Sequence, residues 1–371
     1  MTSSADVEQF EIHVDDAVLQ DLRARLAATR FPDQIEGTEW EYGMPVEYVR
    51  ELVDYWRDGY DWRAQEALLN EFDHFRTTID GQSIHFIHAR SARDDAFPVL
   101  LIHGWPGSVV EFLDVVPRLS DEFHLIVPSL PGYGFSGPTR ATGWDPTRIA
   151  RALMELMPRL GYNRYGSQGG DWGAQVTTMI GALDPEHCAG IHLNMPLAGP
   201  PKEPVELTEE EQADLAYLAH FRKEEAAYSL EQGTKPQTLG VGLNDSPAGV
   251  LAWIVEKFRA WSDCDGDPEK AFTKDQLLTN VMVYWVTETI TSSTRLYWER
   301  QHSGERQPPF VSVPTGVARY PKEILKFPRA WVERRYNVTH WAALPRGGHF
   351  AAMEQPELFA DDVRAFFETV R

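Results

Sequence analysis

Apolar positions along this chain fall into three textures, and each predicts a different kind of element. Near the start they recur at helical spacing. Val18, Leu19, Leu22 and Leu26 make one face, with Asp15 or Asp16 placed to cap it, and Val49, Leu52, Val53 and Trp56 make another after Pro45. Residues 75–79 and 83–88 then flank Asp80-Gly81, a dipeptide suited to a two-residue hairpin turn. Residues 1–80 are therefore expected to be a mostly helical region that braces a core rather than performing chemistry.

From Pro98 the texture changes. Val99-Leu100-Leu101-Ile102 and Leu125-Ile126-Val127 are unbroken apolar runs, as strands buried on both faces require. Asp145-Pro146 opens a helix by cap and first-turn proline, with Ile149, Ala152, Leu153, Leu156 and Leu160 on its face and Gly161 past its end. Residues 174–183 form a further helix and 189–195 a further strand. Such alternation predicts an α/β fold with a doubly wound, mostly parallel sheet and sites at the carboxyl ends of its strands. Residues 81–197 are its first part.

Between 198 and 308 the pattern is helical only. Thr208 with Glu211, and Thr273 with Gln276, read as capping boxes. Ser246-Pro247 opens a helix carrying Val250, Leu251, Ile254, Val255, Phe258 and Trp261. A block of this kind inside an α/β chain is most simply a lid, inserted late in the sheet. The second part of the core, 309–371, resumes with a strand at 310–314 that ends in Pro314-Thr315-Gly316. It has a last strand at 340–344 and a closing helix carrying Leu358, Phe359, Val363 and Phe366.

Charge and composition narrow the partners. A formal charge of −21 over 371 residues argues against nucleic acid or an anionic membrane surface. Two cysteines, Cys188 and Cys264, make neither a disulfide framework nor a metal-ligand cluster, and both are expected reduced. The N-terminus is polar and acidic, without a signal-peptide core, and no apolar run reaches the roughly 18 residues that a membrane span needs. A cytoplasmic chain without cofactor or metal is expected, and a homodimer stays open.

The candidate chemistry centres on Gly166-Ser167-Gln168-Gly169-Gly170-Asp171-Trp172-Gly173. A turn between strand and helix with small residues on either side of a central side chain is the geometry of a nucleophile elbow. Here the central residue is Asp171, so the same stretch also reads as a glycine-rich turn with an N-capping aspartate. A carboxylate attacks without prior deprotonation and suits displacement at a saturated carbon, leaving an ester on the enzyme. Hydrolysing that ester needs a base and a group to orient it. His349, on Gly347-Gly348 just after the last expected strand, is the base candidate. Glu323 is the orienting candidate, with a helix-start glutamate as its plainer reading. The position after an earlier strand offers Asn194 and no carboxylate. An oxyanion at the ester would take backbone N–H groups of Trp105 and Trp172, and Trp105-Pro106 is a candidate cis bond.

These residues resemble one family. The elbow with Asp171, His103-Gly104-Trp105-Pro106-Gly107-Ser108 and Arg346-Gly347-Gly348-His349-Phe350-Ala351-Ala352 are similar to the microsomal-type epoxide hydrolases, over nearly the whole chain. The resemblance implies an α/β-hydrolase fold with an N-terminal helical extension, and Glu323 as the acid. It also implies two lid tyrosines that hold the epoxide oxygen: Tyr228, seven residues before Lys235-Pro236, and Tyr297, after Thr291-Ser292-Ser293-Thr294-Arg295-Leu296. Membrane-bound members carry an apolar N-terminal anchor that this sequence lacks. A phenol can hydrogen-bond the developing alkoxide and protonate it, which agrees with two tyrosines facing Asp171. The implied reaction converts a small hydrophobic epoxide and water to a vicinal diol. Haloalkane dehalogenation is the nearest rival, since Asp171-Trp172-Gly173 would serve it with Trp172 on the halide. A non-catalytic ligand-binding scaffold is the rival from another class. A serine esterase is disfavoured, because Ser167 lies four residues upstream of the elbow centre.

Overall fold

Strands β1 (Glu8–Phe10), β2 (His74–Ile79), β3 (Gln82–Ala89), β4 (Phe97–Ile102), β5 (Phe123–Pro128), β6 (Tyr165–Gly169), β7 (Cys188–Leu193), β8 (Val311–Arg319) and β9 (Tyr336–Ala343) form one sheet in a computed structural model that describes residues 7–304 and 310–371. Most of the acidic N-terminal stretch before β1, and the expected lid-to-core border at 308 and 309, lie outside the described residues. The strand order is β1-β2-β3-β5-β4-β6-β7-β8-β9. Pairings from β5 through β9 are parallel, while β1, β2 and β3 form an antiparallel margin joined to β5. This is the mostly parallel, doubly wound sheet of the α/β-hydrolase fold. β4 and β5 are buried at every position, which is why their sequences show no alternation.

Several features depart from expectation. β1 spans three residues, too few to show a period, and the expected boundary at residue 80 falls inside the β2–β3 hairpin, whose strands both belong to the sheet. Asp80 and Gly81 have φ of 50° and 73°, the left-handed pair that a tight hairpin turn demands. β8 does not end at Pro314-Thr315-Gly316 but runs on to Arg319. Register shifts on either side of Pro314 absorb the missing N–H. In the first helix, Asp16–Ala27, the buried face is Leu19, Leu22 and Leu26, and Val18 stands in solvent. A short helix, Trp62–Leu69, is capped by Asp61, which accepts from the Arg63 and Ala64 N–H groups. Its eight residues carried too little periodicity to be read.

Among the described residues, six α-helices lie between β7 and β8: Glu209–Glu224, Ala227–Thr234, Pro236–Asp245, Pro247–Trp261, Lys274–Val286 and Ile290–His302. Both capping boxes form, with side chain and backbone satisfied reciprocally. Helix Pro247–Trp261 seats this layer on the core. Phe258 is fully buried and stacks on Phe350, ring centroids 4.0 Å apart and planes at 4°, with Phe272 edge-on at 5.2 Å. A salt-bridged patch adds a second attachment: Asp214 of the first lid helix pairs with Arg319 at the end of β8 and with Lys326. Because Phe350 follows His349, packing and chemistry meet at this stack. Phe258→Ala should cost about 3–5 kcal/mol, the usual price of deleting a buried ring. Urea denaturation would measure it, and a loss below about 1 kcal/mol would show that the stack does not anchor the lid.

Candidate active site

Parallel pairing of β4 with β6 sets Ile102 beside Gly169, so the turns that leave these two strands meet. The elbow turn is built on absent side chains. A Cβ on Gly169 would lie 2.2 Å from the Gly173 carbonyl oxygen, and one on Gly173 would lie 2.0 Å from that of Ile102. Between them Asp171 takes φ of 49°, a conformation that non-glycine residues adopt only under constraint. The N-cap of helix Asp171–Leu183 is Gly170, and no side chain caps it. Asp171 is therefore presented at the head of the helix, not folded onto it.

The second turn comes to meet it. A Cβ on Gly104 would lie 2.3 Å from the Asp171 carboxylate oxygen, and the Trp105 N–H donates to Asp171 Oδ1 at 2.8 Å. The Trp105–Pro106 bond is cis. Asn280 Nδ2 donates to the Pro106 carbonyl at 2.7 Å and Tyr284 to the Gly107 carbonyl at 2.6 Å, so a lid helix grips this turn. His103 is structural: its ring accepts from the Leu130 N–H at 3.1 Å and bonds the Gly104 carbonyl at 2.9 Å. Of the two backbone donors anticipated, Trp105 is already on the carboxylate. The Trp172 N–H stands in the first helical turn, where a helix leaves its donors free.

His349 joins them from the far end of the chain. Its Nδ1–H donates to Glu323 Oε1 at 2.6 Å, and its Nε2 lies 3.4 Å from Asp171 Oδ2. Glu323 is 1% exposed, also accepts the Ile324 N–H at 2.7 Å, and starts no helix. Asn194 instead accepts a hydrogen bond from Gln168 at 3.0 Å. Burial of the His349 ring disfavours its charge, but the Glu323 and Asp171 carboxylates outweigh this and raise its pKa well above the ordinary value. The two carboxylates thus favour the protonated form of the ring.

Two groups that sequence reasoning did not single out fix this loop. Glu354 accepts N–H bonds from Asp263, Gly348 and Phe350 at 2.8, 2.9 and 2.9 Å, and the His349 N–H donates to the Trp261 carbonyl at 2.9 Å. Burial pushes Glu354 up to about 7, held back by those three donors. Its one sequence signal is a position five residues beyond His349, which no motif marks.

Tyr228 and Tyr297 come from two different lid helices and converge on the opposite side. The Tyr228 ring stacks on Trp105 at 5.3 Å, and the Tyr297 ring stands edge-on to Trp172 at 4.7 Å. The two phenol rings are 5.8 Å apart. The Tyr297 hydroxyl is buried without a hydrogen-bond partner among the described residues. Burial above all, with the Asp171 charge adding to it, raises both pKa values, so both tyrosines stay protonated as donors. Among the described residues no cluster of His, Cys, Asp and Glu is arranged to hold a metal ion, and no helix is long and apolar enough to cross a membrane. Cys188 and Cys264 are buried free thiols.

The sheet order, and the two turns that meet at Asp171 beneath a helical layer, define an α/β-hydrolase fold. Comparison with known proteins narrows this. Residues 7–112 match the family described as "Epoxide hydrolase N terminus", and 98–238 match "alpha/beta hydrolase fold". "Epoxide hydrolase 1" of Sus scrofa is 38% identical, covering 97% of this chain and 88% of its own. Juvenile hormone epoxide hydrolase from the silkworm Bombyx mori superposes with a TM-score of 0.92 at 35% identity, covering 99% of this chain and 95% of its own. The Aspergillus niger epoxide hydrolase gives 0.91 at 33%, covering 99% and 97%. The chain belongs to the epoxide hydrolase family, of the microsomal type that carries this N-terminal region.

The electrostatics of the site can be tested directly. An NMR titration of the His349 imidazole should place its pKa well above that of a free histidine. Glu323→Gln, which removes one of the two charges raising it, should bring the value down toward the ordinary range, as should Asp171→Asn. An unchanged value in both variants would mean that neither carboxylate governs the ring.

Proposed function

We propose that this enzyme hydrolyses its epoxide through a covalent ester on Asp171. An Asp171 carboxylate oxygen attacks one ring carbon, and the carbon–oxygen bond of the ring breaks. The departing oxygen takes a proton from Tyr228 or Tyr297, and the phenolate so formed recovers a proton, by way of solvent, from the His349 imidazolium, which leaves that ring neutral for the next step. Water then attacks the Asp171 carbonyl carbon, giving a proton to His349 Nε2 while the Trp105 and Trp172 N–H groups receive the oxyanion. The ester carbon–oxygen bond breaks, and the vicinal diol leaves. Glu323 holds the His349 ring and balances its charge throughout. No cofactor takes part.

The observation that carries this reading is the position of His349 between two carboxylates, 2.6 Å from Glu323 and 3.4 Å from Asp171. As an imidazolium it cannot drive water straight onto an epoxide. Alkylation of Asp171 removes one of the two charges that keep it protonated, so its pKa falls at the stage where a base is needed. The histidine is thus idle in the first step and available in the second. Aromatic walls from Trp105, Trp172, Tyr228 and Tyr297 suit a hydrophobic epoxide. Buried, protonated phenols favour an alkoxide leaving group over a halide, which needs no proton.

Oxygen origin separates the covalent route from direct hydrolysis. In a single turnover in oxygen-18 water with enzyme in excess, the diol should be mostly unlabelled and label should appear in the peptide containing Asp171. Labelled diol with an unlabelled peptide would sink the ester. The phenols make a separate claim. Tyr228→Phe or Tyr297→Phe should slow ring opening by roughly ten- to a hundredfold, and the double variant should come close to abolishing it. Rapid-quench measurement of ester formation reads this step, and an unimpaired double variant would place the proton donor elsewhere.

A further inference from the structure

Behind the Asp171 carboxylate lies a cavity of about 20 Å³, sized for a single water, whose lining includes Gly104, Glu111, Gln168, Asp171, Asn194 and His349. Small apolar voids stay dry, whereas polar ones of this size hold water. Gln168 is 1% exposed, and its amide oxygen has no hydrogen-bond partner among the described residues, while its nitrogen donates to Asn194. An unmet acceptor of this kind costs about 1–3 kcal/mol unless a water satisfies it.

Glu111 is a lining group that the steps above do not use. It belongs to the short 3-10 turn Val109–Phe112, which Ser108 caps. Its carboxyl folds back over the turn that carries Trp105. A Cβ on Gly107 would come within 1.5 Å of Glu111 Oε1, so position 107 is glycine because the carboxyl occupies that space. The Gly104 N–H also donates to this carboxyl. Burial pushes its pKa up to about 8 against the pull of His349, with a further push from Asp171. It therefore adds little negative charge beside the nucleophile at neutral pH.

We propose that this cavity is the site of the hydrolytic water and that Glu111 holds the water for attack on the Asp171 ester, an inference that rests on the covalent route above. While His349 is protonated, the two O–H groups of the water serve Gln168 Oε1 and the Glu111 carbonyl oxygen; once Asp171 is alkylated and the His349 ring is neutral, the first turns to His349 Nε2, which aims a lone pair at the Asp171 carbonyl carbon. As the new bond forms, the proton passes to His349, and the leaving diol oxygen later takes it back. Glu111 neither gains nor loses a proton over the cycle.

The test follows ester formation and decay by quenched intact-protein mass, using a phenyl-substituted epoxide with enzyme in excess. Glu111→Leu should form the ester at nearly the parental rate and lose it roughly ten- to a hundredfold more slowly. Glu111→Gln, which keeps a carbonyl acceptor, should fall between. Gly107→Ala should imitate Glu111→Leu by evicting the carboxyl, yet add little in a Glu111→Leu background. If Glu111→Leu is not obtained folded, Gly107→Ala decides alone. Parental decay rates, or equal slowing of formation and decay, would overturn the role of Glu111. His349→Gln serves as the control: it should trap the ester, and failure to do so would overturn the covalent route itself.

Discussion

Everything at this site depends on one close approach of backbone to backbone. The turns leaving β4 and β6 touch at Gly104, Asp171 and Gly173 with no room for a further carbon atom. That contact forces Asp171 into a left-handed conformation, and it sets the Trp105 N–H on the carboxylate at 2.8 Å. Strain of order 1–3 kcal/mol at such a residue persists only where the surroundings over-determine it. Here they do: parallel strands fix both turns from below, and Asn280 and Tyr284 of the lid fix one of them from above.

Electrostatics then separates the roles of otherwise similar groups. Four carboxyls crowd this region, and surroundings alone distinguish them. Asp171 meets a helix N-terminus and a backbone N–H, which suits a nucleophile. Glu323 has its histidine, and the pair is sealed from solvent. Glu354 and Glu111 are pushed toward neutrality by burial, to about 7 and about 8. Raising these two acids lessens the negative charge that would otherwise gather around the His349 imidazole.

The sequence made much of this legible because the relevant signals are local. Apolar runs marked the buried strands, Asp80-Gly81 marked the hairpin, and cap residues marked the lid helices Glu209–Glu224 and Lys274–Val286. The glycines around Asp171 signalled a tight turn without any knowledge of its neighbours. Tyr228 and Tyr297 were readable only through resemblance, since helical spacing cannot tell a buried donor from a core ring. Glu354 and Glu111 were not readable at all. Their partners are backbone N–H groups and a cavity, made by segments far apart in the chain, and such partners leave no trace in residue type. β8 was cut short because proline and glycine are ordinarily strand breakers, and the register shifts that accommodate them belong to the sheet as a whole.

The helical layer over the sheet also holds the loop that carries His349. The carbonyl of Trp261 receives the His349 N–H, Asp263 is bonded to Glu354, and Phe258 stacks against Phe350. A layer tied in this way cannot swing as a rigid flap without unseating His349. Traffic of substrate and product must then pass by rearrangement of individual side chains, with the helices staying in place. The same ties bear on how such enzymes diversify. Exchanging the whole helical layer between relatives would carry off the seat of the histidine along with the walls of the pocket. New substrate ranges are more accessible by changing single residues that face the pocket than by recombining entire segments.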